Sequence, residues 1–217
     1  MPASPVTTVI LDFGGVLGLP HDPAREMIMA RLCKLPLDEF LAAYHHDRRE
    51  LDMGTLPTPE YWSRMLARGG VQPTPELLTR LETEDTLAWT RINHTVVNWA
   101  AELRRAGYRT AILSNMPRET VAYMRAHRDF QWINDFEATF FSCELGAAKP
   151  DRPIYSISLQ KLGIPAAACL FLDDSLVNVE GARAAGLPSD VFRPWAESGL
   201  DLKRRWALPV ASLIARN

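Results

Sequence analysis

The residues best suited to chemistry lie at the ends of short apolar runs. Thr7 to Leu11 leads into Asp12, Arg109 to Leu113 into Ser114-Asn115, and Ala168 to Leu172 into Asp173-Asp174, while Lys149-Pro150 follows shortly after the run Ala138 to Phe141. A carboxylate followed by Phe13-Gly14-Gly15 can present an oxygen beside loop N–H groups that no side chain screens, since glycine permits tight turns and close ligand approach. Asp12 is therefore a candidate nucleophile. Attack on phosphorus would give an aspartyl phosphate and divide one difficult displacement into two. Asp173 and Asp174 bring further negative charge to the same mouth, and carboxylates clustered against a phosphate repel unless cations intervene. Mg²⁺, which takes oxygen ligands and commonly uses one or two carboxylates plus a phosphate oxygen, and Lys149 would supply those cations.

The runs themselves read as strands. They are continuously apolar and partly β-branched, the pattern of strands covered on both faces; a weaker run, Asp190 to Phe192, completes the set. Between them lie helical patterns closed by glycine, Val96 to Ala106 before Gly107, Ile154 to Leu162 before Gly163, and Val179 to Ala185 before Gly186. Strand, helix, strand with short connections predicts an α/β fold with a doubly wound parallel sheet. In such sheets ligands bind outside the carboxyl ends of the strands, beside a topological switch point, which is where the polar residues fall. The long gap after Asp12 contains no convincing strand. It reads as a four-helix insertion over residues 20–91, with Asp22-Pro23, Thr58-Pro59 and Thr74-Pro75 as helix starts, set between core segments 1–19 and 92–217.

Taken in chain order, Asp12-Phe13-Gly14-Gly15-Val16-Leu17, Ser114-Asn115, Lys149-Pro150-Asp151 and Leu172-Asp173-Asp174-Ser175 resemble the four motifs of the haloacid dehalogenase superfamily. The insertion falls where that superfamily carries a helical cap on a Rossmann-like core. The Gly-Gly-Val-Leu continuation and Glu144-Leu145-Gly146 look most like the subgroup holding the amino-terminal phosphatase domains of soluble epoxide hydrolases and bacterial sugar-phosphate phosphatases. The resemblance implies a Mg²⁺-dependent phosphatase acting on a small phosphorylated metabolite. It implies the Asp12 carboxylate, the Gly14 carbonyl and the Asp174 carboxylate as metal ligands, with Asp173 behind them. Lys149 and Ser114 would be catalytic, and the Ser114 hydroxyl and Asn115 amide, with the N–H groups of Phe13 and Gly14, would hold the phosphoryl oxygens. Asn178 would orient Lys149 or the metal shell, or simply cap a helix.

One position departs from the phosphatase pattern. Phosphatases of the superfamily usually carry a second aspartate two residues after the nucleophile to protonate the leaving oxygen, and here that residue is Gly14. General acid–base help is worth roughly 10² to 10⁴ in rate. Either the leaving group needs little protonation, or another group serves, with His21, His45 and His46 as candidates, or the reaction is not phosphate hydrolysis. A haloacid dehalogenase, in which Asp12 attacks carbon without a metal, and a silent phosphate-binding module are the alternatives. Glu50 to Thr55 joins two insertion helices, either as a plain turn or as a loop that dips toward substrate. Trp62, Trp89 and Trp99 fall at helical spacing among apolar neighbours and are assigned to packing.

Composition narrows the rest. The 217 residues carry 24 Lys and Arg against 26 Asp and Glu, a net charge of −2 without the basic excess expected of a nucleic-acid or anionic-membrane partner. Apolar residues at 47% and charged residues at 23% indicate a packed core. Met1 to Pro5 shows no secretory pattern, and the longest apolar run, Ala166 to Leu172, is far short of the ~20 residues of a membrane span. A cytoplasmic monomer or homodimer is expected. Cys33, Cys143 and Cys169 lack metal or disulfide spacing and read as buried thiols.

Overall fold

The computed structural model describes residues 6–210; the reading of Met1 to Pro5 lies outside them. Five strands, β1 (Thr8–Leu11), β2 (Arg109–Ser114), β3 (Ala138–Phe141), β4 (Cys169–Asp173) and β5 (Ser189–Val191), form one sheet in the order β3-β2-β1-β4-β5, every pairing parallel. Their side chains alternate between two cores. Val9, Leu11, Ile112, Leu170 and Leu172 face one, and Ile10, Ala111, Leu113, Cys169 and Phe171 face the other. Both faces are buried, which is why the runs are apolar at every position. The chain leaves β1 for β2 on one side and returns for β4 on the other, so the switch point sits at the carboxyl end of β1. Register places Leu11 beside both Ile112 and Leu172, and the Asp12 N–H donates to the Leu172 carbonyl at 2.9 Å, bringing the residues after each run to one edge.

A tight π turn, Phe13–Leu17, follows β1. Then come α1 (Pro23–Leu32), α2 (Leu37–His46), α3 (Arg48–Asp52), α4 (Thr58–Arg68) and α5 (Pro75–Trp89). The expected four helices are therefore five: Glu50 to Asp52, read as part of a connecting loop, are helical. Asp22 and Thr74 cap α1 and α5 by accepting from the Ala24 and Leu77 N–H groups. Thr58 does not cap; it is already in the first turn of α4 and buried, with Pro57 before it. These helices gather a core of their own around Met29, Phe40, Tyr61, Trp62, Met65 and Leu81. They join the sheet through two crossing segments, tied by a bridge between Gly18 and Ile92 and by Leu19 N–H to Arg91 O at 2.7 Å.

Helices α6 (His94–Arg105), α7 (Arg118–Ala126), α9 (Arg152–Leu162), α10 (Leu176–Ala184) and α11 (Trp195–Trp206), with the short α8 (Ser142–Leu145), complete the described chain. The three cysteines are free and buried. No helix among the described residues is long and apolar enough to cross a membrane.

Candidate active site

Four strand ends converge at the switch point. Asp12, Lys149 and Asp173 are 6%, 3% and 0% exposed, so each must be paired. The Lys149 ammonium lies 2.7 Å from Asp12 Oδ1 and 2.6 Å from Asp173 Oδ2. Asp12 Oδ1 also accepts from the Phe13 N–H at 2.7 Å. Asp173 is held from behind, by the Ser175 N–H at 2.8 Å and by the Asn178 amide at 3.0 and 3.1 Å. Asn178 thus acts on Lys149 through Asp173. Asn115 grips the Lys149 main chain twice, its amide donating to the Lys149 carbonyl at 2.9 Å while its oxygen accepts the Lys149 N–H at 2.8 Å. These bonds fix the segment whose side chain reaches Asp12, so Asn115 positions Lys149 from its place on the cavity wall. Phe13 contributes only its N–H, which is engaged by Asp12; its ring is in the core.

Electrostatics follow from crowding. Burial pushes the Asp12 carboxyl well above the usual carboxylate range, while Lys149 pulls it down and Asp173 pushes it up again; the Ser114 hydroxyl beside it opposes the rise. For Lys149, burial works against the charge, but Asp12 and Asp173 outweigh it and hold the ammonium above its ordinary range. Asp174, also raised by burial and by Asp173, completes an acidic cluster in which an oxygen from each of Asp12, Asp173 and Asp174 lies within 4.8 Å of the others. Three carboxylates surround one ammonium, and the uncompensated charge and all-oxygen donors suit a divalent cation such as Mg²⁺. The backbone accommodates this closeness: Gly15 has φ +68°, and a Cβ there would lie 2.1 Å from Asp174 Oδ2.

A family model for haloacid dehalogenase-like hydrolases matches residues 6–186. The chain belongs to that family. Among its relatives, phosphatase MT3486 of Mycobacterium tuberculosis is 29% identical over 153 residues, covering 70% of this chain and 59% of its own length. Sesquiterpene phosphatase astK of Aspergillus oryzae is 29% identical over 147 residues, covering 63% and 74%. This chain spans about three-fifths of the first of these relatives. In fold it is similar to a HAD family enzyme of Bacteroides thetaiotaomicron solved in complex with magnesium and inorganic phosphate, at TM-score 0.72 and 18% identity over 87% of this chain and 94% of that one.

The site opens into a cavity of about 290 Å³. Its floor is Asp12, Gly14, Ser114, Lys149 and Asp174, and its roof comes from the inserted helices: His21, Tyr44, His45, Arg48, Asp52 and Trp89. Of these, the sequence pointed to His21 and His45 for chemistry and to Asp52 within a stretch that could dip toward substrate, but not to Tyr44 or Arg48. Trp89 is a correction, since it lines the cavity rather than a core: a Cβ on Gly14 would lie 3.1 Å from its Cζ3. The stretch around Asp52 does descend, because the buried Ser142 hydroxyl donates to the Asp52 carbonyl at 2.5 Å and accepts the Met116 N–H at 2.9 Å. Arg48 donates to Asp52 at 2.9 Å and to both Asp85 oxygens at 2.8 and 2.9 Å. His46, by contrast, is exposed and paired with Asp47, away from the site.

Proposed function

We propose that this hydrolase is a Mg²⁺-dependent phosphatase that cleaves a small phosphate monoester through an aspartyl phosphate on Asp12. The observation that carries the reading is the convergence of the Asp12–Asp173–Asp174 oxygens with the buried Lys149 ammonium. The Asp12 and Asp174 carboxylates and the Gly14 carbonyl would hold the metal, which when bound would neutralise phosphate charge and so lower the cost of nucleophilic approach. Lys149 and the Phe13 N–H hold Asp12 Oδ1, which leaves Oδ2 to attack phosphorus. Ser114 hydroxyl and the Gly14 N–H receive the equatorial oxygens, and Asp173 keeps Lys149 charged and aimed. Residues 20–91 serve as a cap that excludes water, over a core built from the segments before and after it.

The roof narrows the substrate. Arg48 is held by two carboxylates, so it offers little to a second phosphate, and the small cavity favours a compact leaving group. A cavity near the lower end of the roughly 300 to 1,000 Å³ of ligand sites agrees with that size.

The test is a panel of an aryl phosphate, a sugar 1-phosphate, a sugar 6-phosphate and a 2-haloacid, with Mg²⁺ and with chelator. Metal-dependent phosphate release from the monoesters is expected. Metal-independent halide release would replace the reading with carbon attack, and binding of Mg²⁺ and phosphate without turnover would make the chain a silent module.

A further inference from the structure

Expulsion of an alkoxide from phosphorus needs a proton, and Gly14 has none to give. The proton must then come from another side chain on the cavity wall. Lys149 is locked between Asp12 and Asp173. The Tyr44 hydroxyl donates to Asp85 at 2.5 Å and accepts from the Trp89 indole N–H at 2.9 Å. The Asp52 carboxylate is engaged by Arg48. His45 has only edge contact with Tyr44, and burial, Arg48 and His21 all disfavour its charged form.

His21 differs from all of these. It lines the cavity, and its ring packs 4.5 Å from the Trp89 ring that covers Gly14. Its Nδ1 lies 2.6 Å from Glu26 Oε1, an arrangement that fixes the ring and directs the proton of the neutral ring to Nδ1. Its Nε2 is buried and has no hydrogen-bond partner among the described residues. A buried orphan nitrogen costs free energy unless something in the working complex engages it. The pair is only 12% and 20% exposed, so it is shielded from competing water.

We infer that His21, oriented by Glu26, is the acid–base residue of this site, doing from the entry to the cap what no side chain at position 14 can do. The inference rests on the phosphatase reading. In the first step the bond from an Asp12 oxygen to phosphorus forms, the ester P–O bond breaks with its electron pair going to the leaving oxygen, and that oxygen takes the Nε2 proton of the imidazolium, leaving neutral His21. In the second step Nε2 removes a proton from water as the water oxygen bonds to phosphorus; the P–O bond to Asp12 breaks, its electron pair restores the carboxylate, and the imidazolium is regenerated. Glu26 touches neither reactant and is a positioning residue.

The experiment compares an aryl phosphate with a good leaving group against an alkyl phosphate such as a sugar 6-phosphate, using wild type, His21→Gln and Glu26→Gln with saturating Mg²⁺. His21→Gln is expected to lose roughly 10² to 10⁴ in kcat/KM on the alkyl ester and no more than about tenfold on the aryl ester, steepening the dependence of rate on leaving-group basicity. Glu26→Gln should show the same selectivity to a smaller degree, which a purely structural role would not produce. Equal losses on both esters, or no loss on either, in variants with wild-type circular dichroism would overturn the inference while leaving the phosphatase reading intact. Absence of phosphate release by the wild type from either ester would overturn both together.

Discussion

Gly14 and Trp89 form a single unit, because an added Cβ would sit 3.1 and 3.4 Å from two indole carbons, closer than the ring tolerates without moving. Gly14→Asp is therefore expected to lower turnover of an aryl phosphate, and Gly14→Asp with Trp89→Leu to recover at least part of the loss; steady-state kinetics of the single and double variants check this. A single variant as fast as wild type would show that the indole does not close the position. The meeting of Asp12, Lys149, Asp173 and Asp174 at one edge was legible in the sequence because each stands at or near a strand end, where a polar residue after an apolar run has few structural uses. Trp89, Glu26, Ser142 and Asp85 were not. Their partners are Gly14, His21, Asp52 and Arg48, and only Glu26 lies near its partner in the chain; the rest meet through packing.

At the level of elements, two left-handed glycines separate backbone strain from function. Gly15 has φ +68° with Asp174 Oδ2 2.1 Å from an ideal Cβ, whereas Gly146 has φ +62° and no atom within 4 Å. Alanine at either costs about 1 to 2 kcal/mol of stability for the left-handed backbone. Only Gly15→Ala should also weaken Mg²⁺ binding, by displacing the Asp174 carboxylate, and calorimetric titration of both variants distinguishes them. A second prediction concerns α3. Burial pushes Asp52 up to about 6 from an ordinary 3.8; Arg48 pulls it down, yet Arg48 is shared with Asp85, whose charge pushes it up again. Between those values the folded state holds a proton that the unfolded chain has released, so this contribution is complete below about pH 4 and is lost as pH rises through about 6. Asp52→Asn should flatten that decline by about 2 to 3 kcal/mol in denaturant titrations across the interval. The strands and most core helices were readable because both sheet faces are buried and because helices end in glycine. The helix α3 was hidden by its shortness and by Gly54 just beyond it. Thr58 misled because a threonine before proline fits the first helical turn as well as the cap.

Across the whole molecule, the cap and the sheet are joined by the crossing segments at Gly18–Ile92 and, farther out, by Ser142, by the Thr86–Thr120 hydroxyl pair at 3.3 Å and by an ion pair of Arg49 with Asp151. Ser142, 0% exposed, is the most deeply buried of these. Ser142→Ala leaves the Met116 N–H and the Asp52 carbonyl without a partner, so a stability loss of about 1 to 3 kcal/mol is expected, together with a rise in KM because Asp52 and Arg48 roof the cavity. Arg49→Ala, which removes an exposed pair, should change stability by no more than about 1 kcal/mol. The placement of the insertion after β1 was legible from the length of the strandless stretch. Its height above the site was not, since that depends on contacts such as Ser142 with Asp52 that join residues 90 apart in the chain.

The effects on turnover presuppose that Asp12 attacks phosphorus with a divalent cation beside it. The most direct measurement is release of inorganic phosphate from an aryl phosphate by wild type and by Asp12→Asn, each with Mg²⁺ and with chelator. Release by the wild type with Mg²⁺ alone, and by neither protein under any other condition, is the predicted result. Undiminished release by Asp12→Asn, or by the wild type in chelator, would contradict it.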